Sequence, residues 1–119
     1  MRDPDHMIGV YIMASRRNGT IYTGVSGQLV ARVAQHRAGT TEGFAKEYGC
    51  KTLVWFEPHD RIDEAIGREK RIKKWRRAWK LALIEESNPQ WLDLAADWFQ
   101  EPPPAVIPGR SEAENPEPR

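Results

Sequence analysis

Three observations predict an α+β fold for this chain. Two short runs rich in β-branched and aromatic residues, Gly9–Met13 and Thr20–Ser26, flank a turn cluster, Ser15-Arg16-Arg17-Asn18-Gly19. Asn-Gly between two apolar runs is a strong local hairpin signal. A third run, Thr52–Glu57, reads as a strand, and the segments between and after these runs carry helical apolar stripes. The predicted order is β-β-α-β-α-α-α, a small three-stranded mixed or antiparallel sheet flanked by helices.

Each hairpin strand carries a tyrosine, Tyr11 and Tyr22, beside a glycine, Gly9 and Gly24, that keeps the backbone approachable. The tyrosines have opposite parity, so every odd register sum puts both hydroxyls on one face. A two-residue Asn18-Gly19 turn would hold them several residues apart. A longer loop would bring them to diagonal or directly opposite positions, about 5–8 Å apart. The turn signal leaves both open.

Ser26 is a fair N-cap for a helix from Gly27 to Ala38, which Gly39 stops. Gly39–Gly49 reads as a polar loop anchored by Phe44 and Tyr48. Thr52–Glu57 lacks strict alternation, which suggests a middle strand covered on both faces, and Pro58-His59-Asp60 breaks it. Asp60 or Asp63 can cap the next helix. That pattern runs to Ser87 with a break near Trp75–Arg77, and Pro89 can start a last short helix, Pro89–Phe99. Met1–Met7 reads as a loose leader, residues 8–99 as the folded domain and residues 100–119 as a disordered Pro-rich tail, since six of the nine prolines lie in Pro102–Pro118.

The formal net charge of +1 hides an uneven distribution, with eight Lys or Arg and one acid between Arg68 and Lys80. The single Cys50 has no internal disulfide partner, which fits a reducing, cytoplasmic setting and a packed rather than nucleophilic thiol. No apolar run approaches the ~18 residues needed to span a membrane.

Two helical stripes contain residues that do not belong in an ordinary core. Leu29, Arg32, Val33 and His36 share one face at i, i+3, i+4 and i+7. Arg32 and His36 either snorkel to the rim or look into a cleft beside the tyrosines, because burying an unpartnered guanidinium costs several kcal/mol. Glu69 falls on the stripe of Ile62, Ala65, Ile66 and Ile72, surrounded by Arg68, Lys70, Arg71, Lys73 and Lys74. It either pairs with a lysine or Arg32, or holds a divalent cation. Mg²⁺ suits a lone carboxylate, since it keeps waters and phosphate oxygens as its other ligands.

Gly9-Val10-Tyr11, ten residues, then Tyr22-Thr23-Gly24 resembles the signature of the GIY-YIG nuclease superfamily. The Arg32-x-x-x-His36 pair and Glu69 match further positions. Ala65–Trp75, Gly43–Tyr48 and Asn88-Pro89-Gln90-Trp91 with Leu94 and Trp98 are similar to the small stand-alone bacterial branch, so the resemblance spans about Ile8 to Phe99. It implies the same α+β fold and a metal-dependent DNA endonuclease. Tyr11 would be the general base, Tyr22 its orienter, Arg32 the phosphate contact, His36 a relay or a clamp on a tyrosine, and Glu69 the ligand of Mg²⁺ or Mn²⁺. One position departs: the asparagine that many members carry about three turns after the glutamate is replaced here by Lys80-Leu81.

Nucleic-acid contacts are expected from Lys46 and Tyr48 on the central loop, and from Arg68, Lys70, Lys73, Lys74, Arg76 and Arg77. Trp75 and Trp79 interleave with these, and at least one indole is expected in the core. No helix-turn-helix, zinc pattern or other sequence-reading module is present. The expected partner is therefore DNA chosen by structure or ends, with a protein partner for targeting and a place in DNA repair or recombination. The alternative is a nucleic-acid-binding module of the same fold without productive turnover.

Overall fold

The computed structural model describes residues 7–40 and 43–99. The disordered tail expected for residues 100–119 lies outside the described residues. So does the expected leader apart from Met7, whose carbonyl accepts the Leu29 N–H at 2.7 Å.

The elements are β1 (Ile8–Ala14), β2 (Ile21–Ser26), α1 (Leu29–Ala38), α2 (Phe44–Glu47), β3 (Thr52–His59), α3 (Ile62–Lys73) and α4 (Arg77–Ser87). The sheet is wholly antiparallel with strand order β2-β1-β3. β1 is thus the central strand, and its alternation divides the core. Val10, Ile12 and Ala14 pack on one face with Ala65 and Ile72 of α3 and Ile84 of α4. Tyr11 and Met13 pack on the other with Leu29 and Val33 of α1.

The hairpin loop is the longer of the two alternatives. Ser15 N–H donates to the Thr20 carbonyl at 2.9 Å and Gly19 N–H to that of Arg16 at 2.9 Å. Asn18 takes φ +59° inside that loop, a left-handed conformation that asparagine tolerates. This loop sets Tyr11 opposite Gly24 and Met13 opposite Tyr22, so the tyrosines are diagonal neighbours on one face.

Four expectations are corrected. β3 is an edge strand, not a middle one. Its broken alternation comes from a bulge: Ile12 pairs with Trp55 and Met13 with Leu53, which leaves Val54 as the extra residue. Pro58 does not break this strand, which continues to His59, as an edge allows. Second, Phe44 and Tyr48 are not anchors, being 48% and 51% exposed; Phe44 opens α2, Tyr48 is its C-cap, and Ala45 is the buried residue there. Third, Ser26 accepts the Gln28 N–H, but α1 begins at Leu29 with Gln28 at the N-cap. Likewise the N-cap of α3 is Arg61, and Asp63 lies in the first turn.

Fourth, Pro89–Phe99 forms turns, not a helix. Trp91 adopts φ +58°, the wrong hand for a right-handed helix, and side chains satisfy the backbone in its place. Asn88, 4% exposed, donates to the carbonyls of Val54 and Leu92 and accepts the Leu92 N–H. Asp93 accepts the Ala95 N–H at 3.1 Å, and Leu94 N–H donates to the Leu53 carbonyl at 2.8 Å. This segment therefore lies along the outer edge of β3. The late helix is absent and α2 is added, so the observed order is β-β-α-α-β-α-α.

The break between α3 and α4 falls at Lys74–Arg76, and Gly39 ends α1 in the left-handed region at φ +73°, both as the sequence predicts. Cys50 is buried, with its thiol raised above the usual range by that burial. Among the described residues no helix is long and apolar enough to cross a membrane.

Candidate functional site

Tyr11 is the centre of a polar cluster set into the α1 face of the sheet. It is 1% exposed, and its ring lies across Gly24. A β-carbon at Gly24 would meet the Tyr11 Cζ and hydroxyl at 2.5 Å, so only glycine leaves room for the ring. The hydroxyl is 2.9 Å from His36 Nε2. Tyr22 sits beside both, 6.3 Å from Tyr11 and 5.4 Å from His36 between ring centroids.

α1 brings His36 there because its stripe is fixed by Leu29 and Val33, both fully buried. His36 follows one turn after Val33 and is 3% exposed. Arg32 borders the stripe and stays exposed; its guanidinium donates to Gln35 Oε1 at 3.0 Å. The cleft and the rim both apply: His36 looks into the cluster and Arg32 forms its lip.

These surroundings set the protonation states. Burial pushes the Tyr11 phenol up to about 12, with the neighbouring Tyr22 adding to the rise and Arg32 opposing it. Burial, followed by the charge of Arg32, lowers His36 to about 4. At neutral pH the phenol therefore keeps its proton and the imidazole is uncharged. A neutral imidazole has one bare nitrogen and one N–H; in the tautomer with Nε2 bare, the Tyr11 O–H donates to it.

Glu69 comes from the opposite side of the sheet, on the α3 stripe of Ala65 and Ile72, and is 7% exposed. Its Oε2 pairs with Lys73 Nζ at 2.6 Å, and the same Nζ lies 5.9 Å from the Tyr22 ring centroid. Lys73 thus links the carboxylate to the tyrosines. Among the described residues no group of three or more His, Cys, Asp or Glu side chains forms a metal cage, so Glu69 is the carboxylate to test. It suits a cation that needs one protein oxygen. Its lysine partner is half exposed.

The remaining expected contacts divide in two. Lys46, Tyr48, Lys70, Lys74 and Arg76 are exposed, with Arg76 over Trp79 at 5.1 Å. Arg68 is engaged elsewhere, donating to Glu57 at 3.1 Å and lying over Trp75 at 5.5 Å. Arg77 donates to the carbonyls of Asn18 and Gly19 at 3.1 and 2.7 Å, tying the hairpin loop to α4. Of the two tryptophans, Trp75 packs against the core and Trp79 is 54% exposed.

Sequence reasoning missed two residues near the cluster. Gln35 carries no signal beyond its i+3 position from Arg32. Phe44 stacks on Tyr22 at 6.4 Å and 26°, and its mostly polar loop surroundings could have marked it as a surface aromatic.

Residues 7–82 match the GIY-YIG catalytic domain family. The UPF0213 protein of Staphylococcus haemolyticus is 38% identical over 77 residues, covering 65% of this chain and 93% of that protein. The UPF0213 protein of Aeromonas salmonicida is 30% identical over 81 residues, 68% of this chain. The match spans only 59% of that Aeromonas protein's length. A Staphylococcus aureus UPF0213 protein is 36% identical over 77 residues, again 65% of this chain and 93% of the relative. No solved structure gives a significant match. With the hairpin tyrosines, the α1 histidine and the α3 glutamate in the arrangement described and the match covering more than half its length, this chain belongs to the GIY-YIG catalytic domain family, a nuclease superfamily.

Proposed function

We propose that this chain is a divalent-metal-dependent DNA endonuclease that hydrolyses phosphodiester bonds and selects substrates by structure or ends rather than by sequence. One observation carries the reading: the Tyr11 hydroxyl, 2.9 Å from His36 Nε2, is backed by Tyr22 and faced by Arg32.

A phenol held near 12 is a poor store of phenolate at neutral pH. The pair with His36 removes that need. Tyr11 oxygen takes a proton from the attacking water while its own proton passes to Nε2, so no free phenolate accumulates. The imidazolium that forms is repelled by Arg32, and the charge of the bound phosphate offsets that repulsion. Arg32 makes the charge-assisted contact to the same phosphate. Tyr22 packs against both rings and orients them.

Glu69 would hold the metal once Lys73 moves aside. Bound there, Mg²⁺ or Mn²⁺ supplies charge stabilisation for the phosphate and the leaving 3′ oxygen. Lys46, Tyr48, Lys70, Lys73, Lys74 and Arg76 provide the DNA contacts in this reading. Arg68 and Arg77, engaged within the fold, shape that surface. A cytoplasmic role in DNA repair or recombination, with a protein partner for targeting, goes with it.

The test is nicking of supercoiled and branched DNA with Mg²⁺ or Mn²⁺, comparing wild type with Glu69→Ala and Tyr11→Phe. Metal-dependent cutting lost in both variants is the expected result. A wild type that binds but never cuts, or a Glu69→Ala variant that cuts equally well, defeats the reading. The second reading, a binding module without turnover, then takes its place. The observation in its favour is the Lys73 ammonium already seated on Glu69 at 2.6 Å.

A further inference from the structure

We infer that the chain carries a flanking nucleic-acid subsite beside Tyr22, which stacks an unpaired base on Phe44 and Tyr48 and holds the adjoining phosphates on Arg16 and Lys80. The inference rests on the nucleic-acid reading above and names the substrate feature that site would select.

The first support is a ladder of rings leading out of the cluster. Tyr11 is buried, Tyr22 is half-buried, and Phe44 and Tyr48 are 48% and 51% exposed. Successive centroids are 6.3, 6.4 and 4.6 Å apart. The outer pair does not hold α2 in place, since Ala45 is the residue buried there. Two adjacent aromatic side chains about half exposed to water, next in the ladder after the candidate catalytic rings, form a platform on which a base gains stacking energy.

The second support is independent. Phe44 also walls an open groove of about 510 Å³ between the hairpin loop and α4, lined by Arg16, Arg77 and Lys80 with no acid among its described residues. Arg77 builds this groove by holding the Asn18 and Gly19 carbonyls. That leaves Arg16 and Lys80, neither of which has a side-chain hydrogen bond or ion pair among the described residues. Three cations on one wall repel each other unless a polyanion lies between them. A strand whose base stacks on Phe44 places its phosphates in that groove. Inside a duplex both faces of a base are covered by its neighbours, so the occupant assigned here is an unpaired nucleotide in a single strand, an overhang or a flap.

The experiment measures binding without cutting. A fluorescein-labelled 12-nucleotide single strand and a blunt duplex of equal length are titrated with the full chain in EDTA, by fluorescence anisotropy across a salt series. Phe44→Ala is expected to weaken single-strand binding at least about fivefold, leave duplex binding and the salt slope unmoved, and be rescued by Phe44→Trp. Tyr48→Ser is expected to weaken single-strand binding in the same way. Arg16→Gln with Lys80→Gln is expected to reduce the single-strand salt slope by about 1.4, for two phosphates at ~0.7 each. Equal weakening of strand and duplex by Phe44→Ala, or an unchanged slope in the double variant, overturns the subsite. If binding depends on Phe44 and nothing is ever cut, the nuclease reading fails and the subsite stands. Cutting with binding unmoved by these variants has the opposite meaning. An acidic protein as the true occupant would appear as wild-type binding to neither DNA probe, which also overturns the proposal.

Discussion

The two faces of β1 are built from alternate residues of one strand and obey different chemistry. On the side covered by α3 and α4, Val10, Ile12 and Ala14 pack with Ala65, Ile72 and Ile84. On the side covered by α1, Tyr11 shares an equally dry interior with a histidine and a second tyrosine. Exposure does not separate the faces, since Tyr11 and Ile12 are 1% and 0% exposed. What separates them is the hydrogen-bonded phenol–imidazole pair at Tyr11, which the apolar cluster around Ile12 lacks. The apolar face supplies rigidity, and the polar face exploits it to hold a phenol and an imidazole in hydrogen-bond contact where water would otherwise intervene.

The sharpest break of this comparison is a pair of neighbouring substitutions. Tyr11→Phe is expected to lower cleavage by about 10²–10⁴-fold, the range for a general base, while the folded state loses only about 1 kcal/mol with one hydrogen bond. Ile12→Ala is expected to cost about 2–5 kcal/mol of stability and leave the cleavage rate per folded molecule unchanged. Nicking rates alongside urea melts check both. Equal effects on both measurements for both variants would mean that the faces are not functionally distinct.

The next effect belongs to the polar face alone. His36 has a folded value of about 4 against an ordinary 6.5, so between these pH values the unfolded chain holds a proton that the folded chain refuses. Stability therefore rises with pH across about 4 to 6.5 and is lost as pH falls through that window. The contribution is at most about 3 kcal/mol. Urea melts of wild type and His36→Asn from pH 4 to 7 check it, and the variant is expected to lose most of the slope. A smaller effect of about 1–3 kcal/mol, the range for overpacking, is expected from Gly24→Ala. Its methyl displaces the Tyr11 ring, so cleavage is expected to fall more steeply than stability, read from the same two assays.

Much of this arrangement was legible because it follows from period. Parity put Tyr11 and Tyr22 on one face whatever the odd register, and the 3.6-residue repeat put His36 behind Val33 and Glu69 between Ala65 and Ile72. The irregular parts were not legible. The bulge at Val54 erased the alternation that would have marked β3 as an edge, and a bulge leaves no composition signal of its own. The Pro89–Phe99 stretch has helical composition, yet the amide of Asn88 and the carboxylate of Asp93 satisfy its backbone outside a helix. The bonds that seat this segment on β3, from Asn88 to Val54 and from Leu94 to Leu53, join distant residues and cannot be read locally. Phe44 and Tyr48 were misread for a related reason: an aromatic in a loop is ordinarily an anchor, and only the placing of Ala45 frees them. The roles of individual site residues rest on the proposed function and its test.

The Asn88–Leu94 segment lies beyond the residues matched to the family, yet it occupies the Leu53 N–H and the carbonyls of Leu53 and Val54. Without it, β3 would offer a bare, hydrogen-bond-hungry rim flanked by Leu53, Val54 and Trp55, and a second copy of the strand is the best complement to such a rim. The segment therefore acts as a chaperone carried in cis. It makes the two borders of the sheet unlike: one is sealed by the chain's own turn segment, while the other is β2, which carries Tyr22 beside Tyr11 of the central strand.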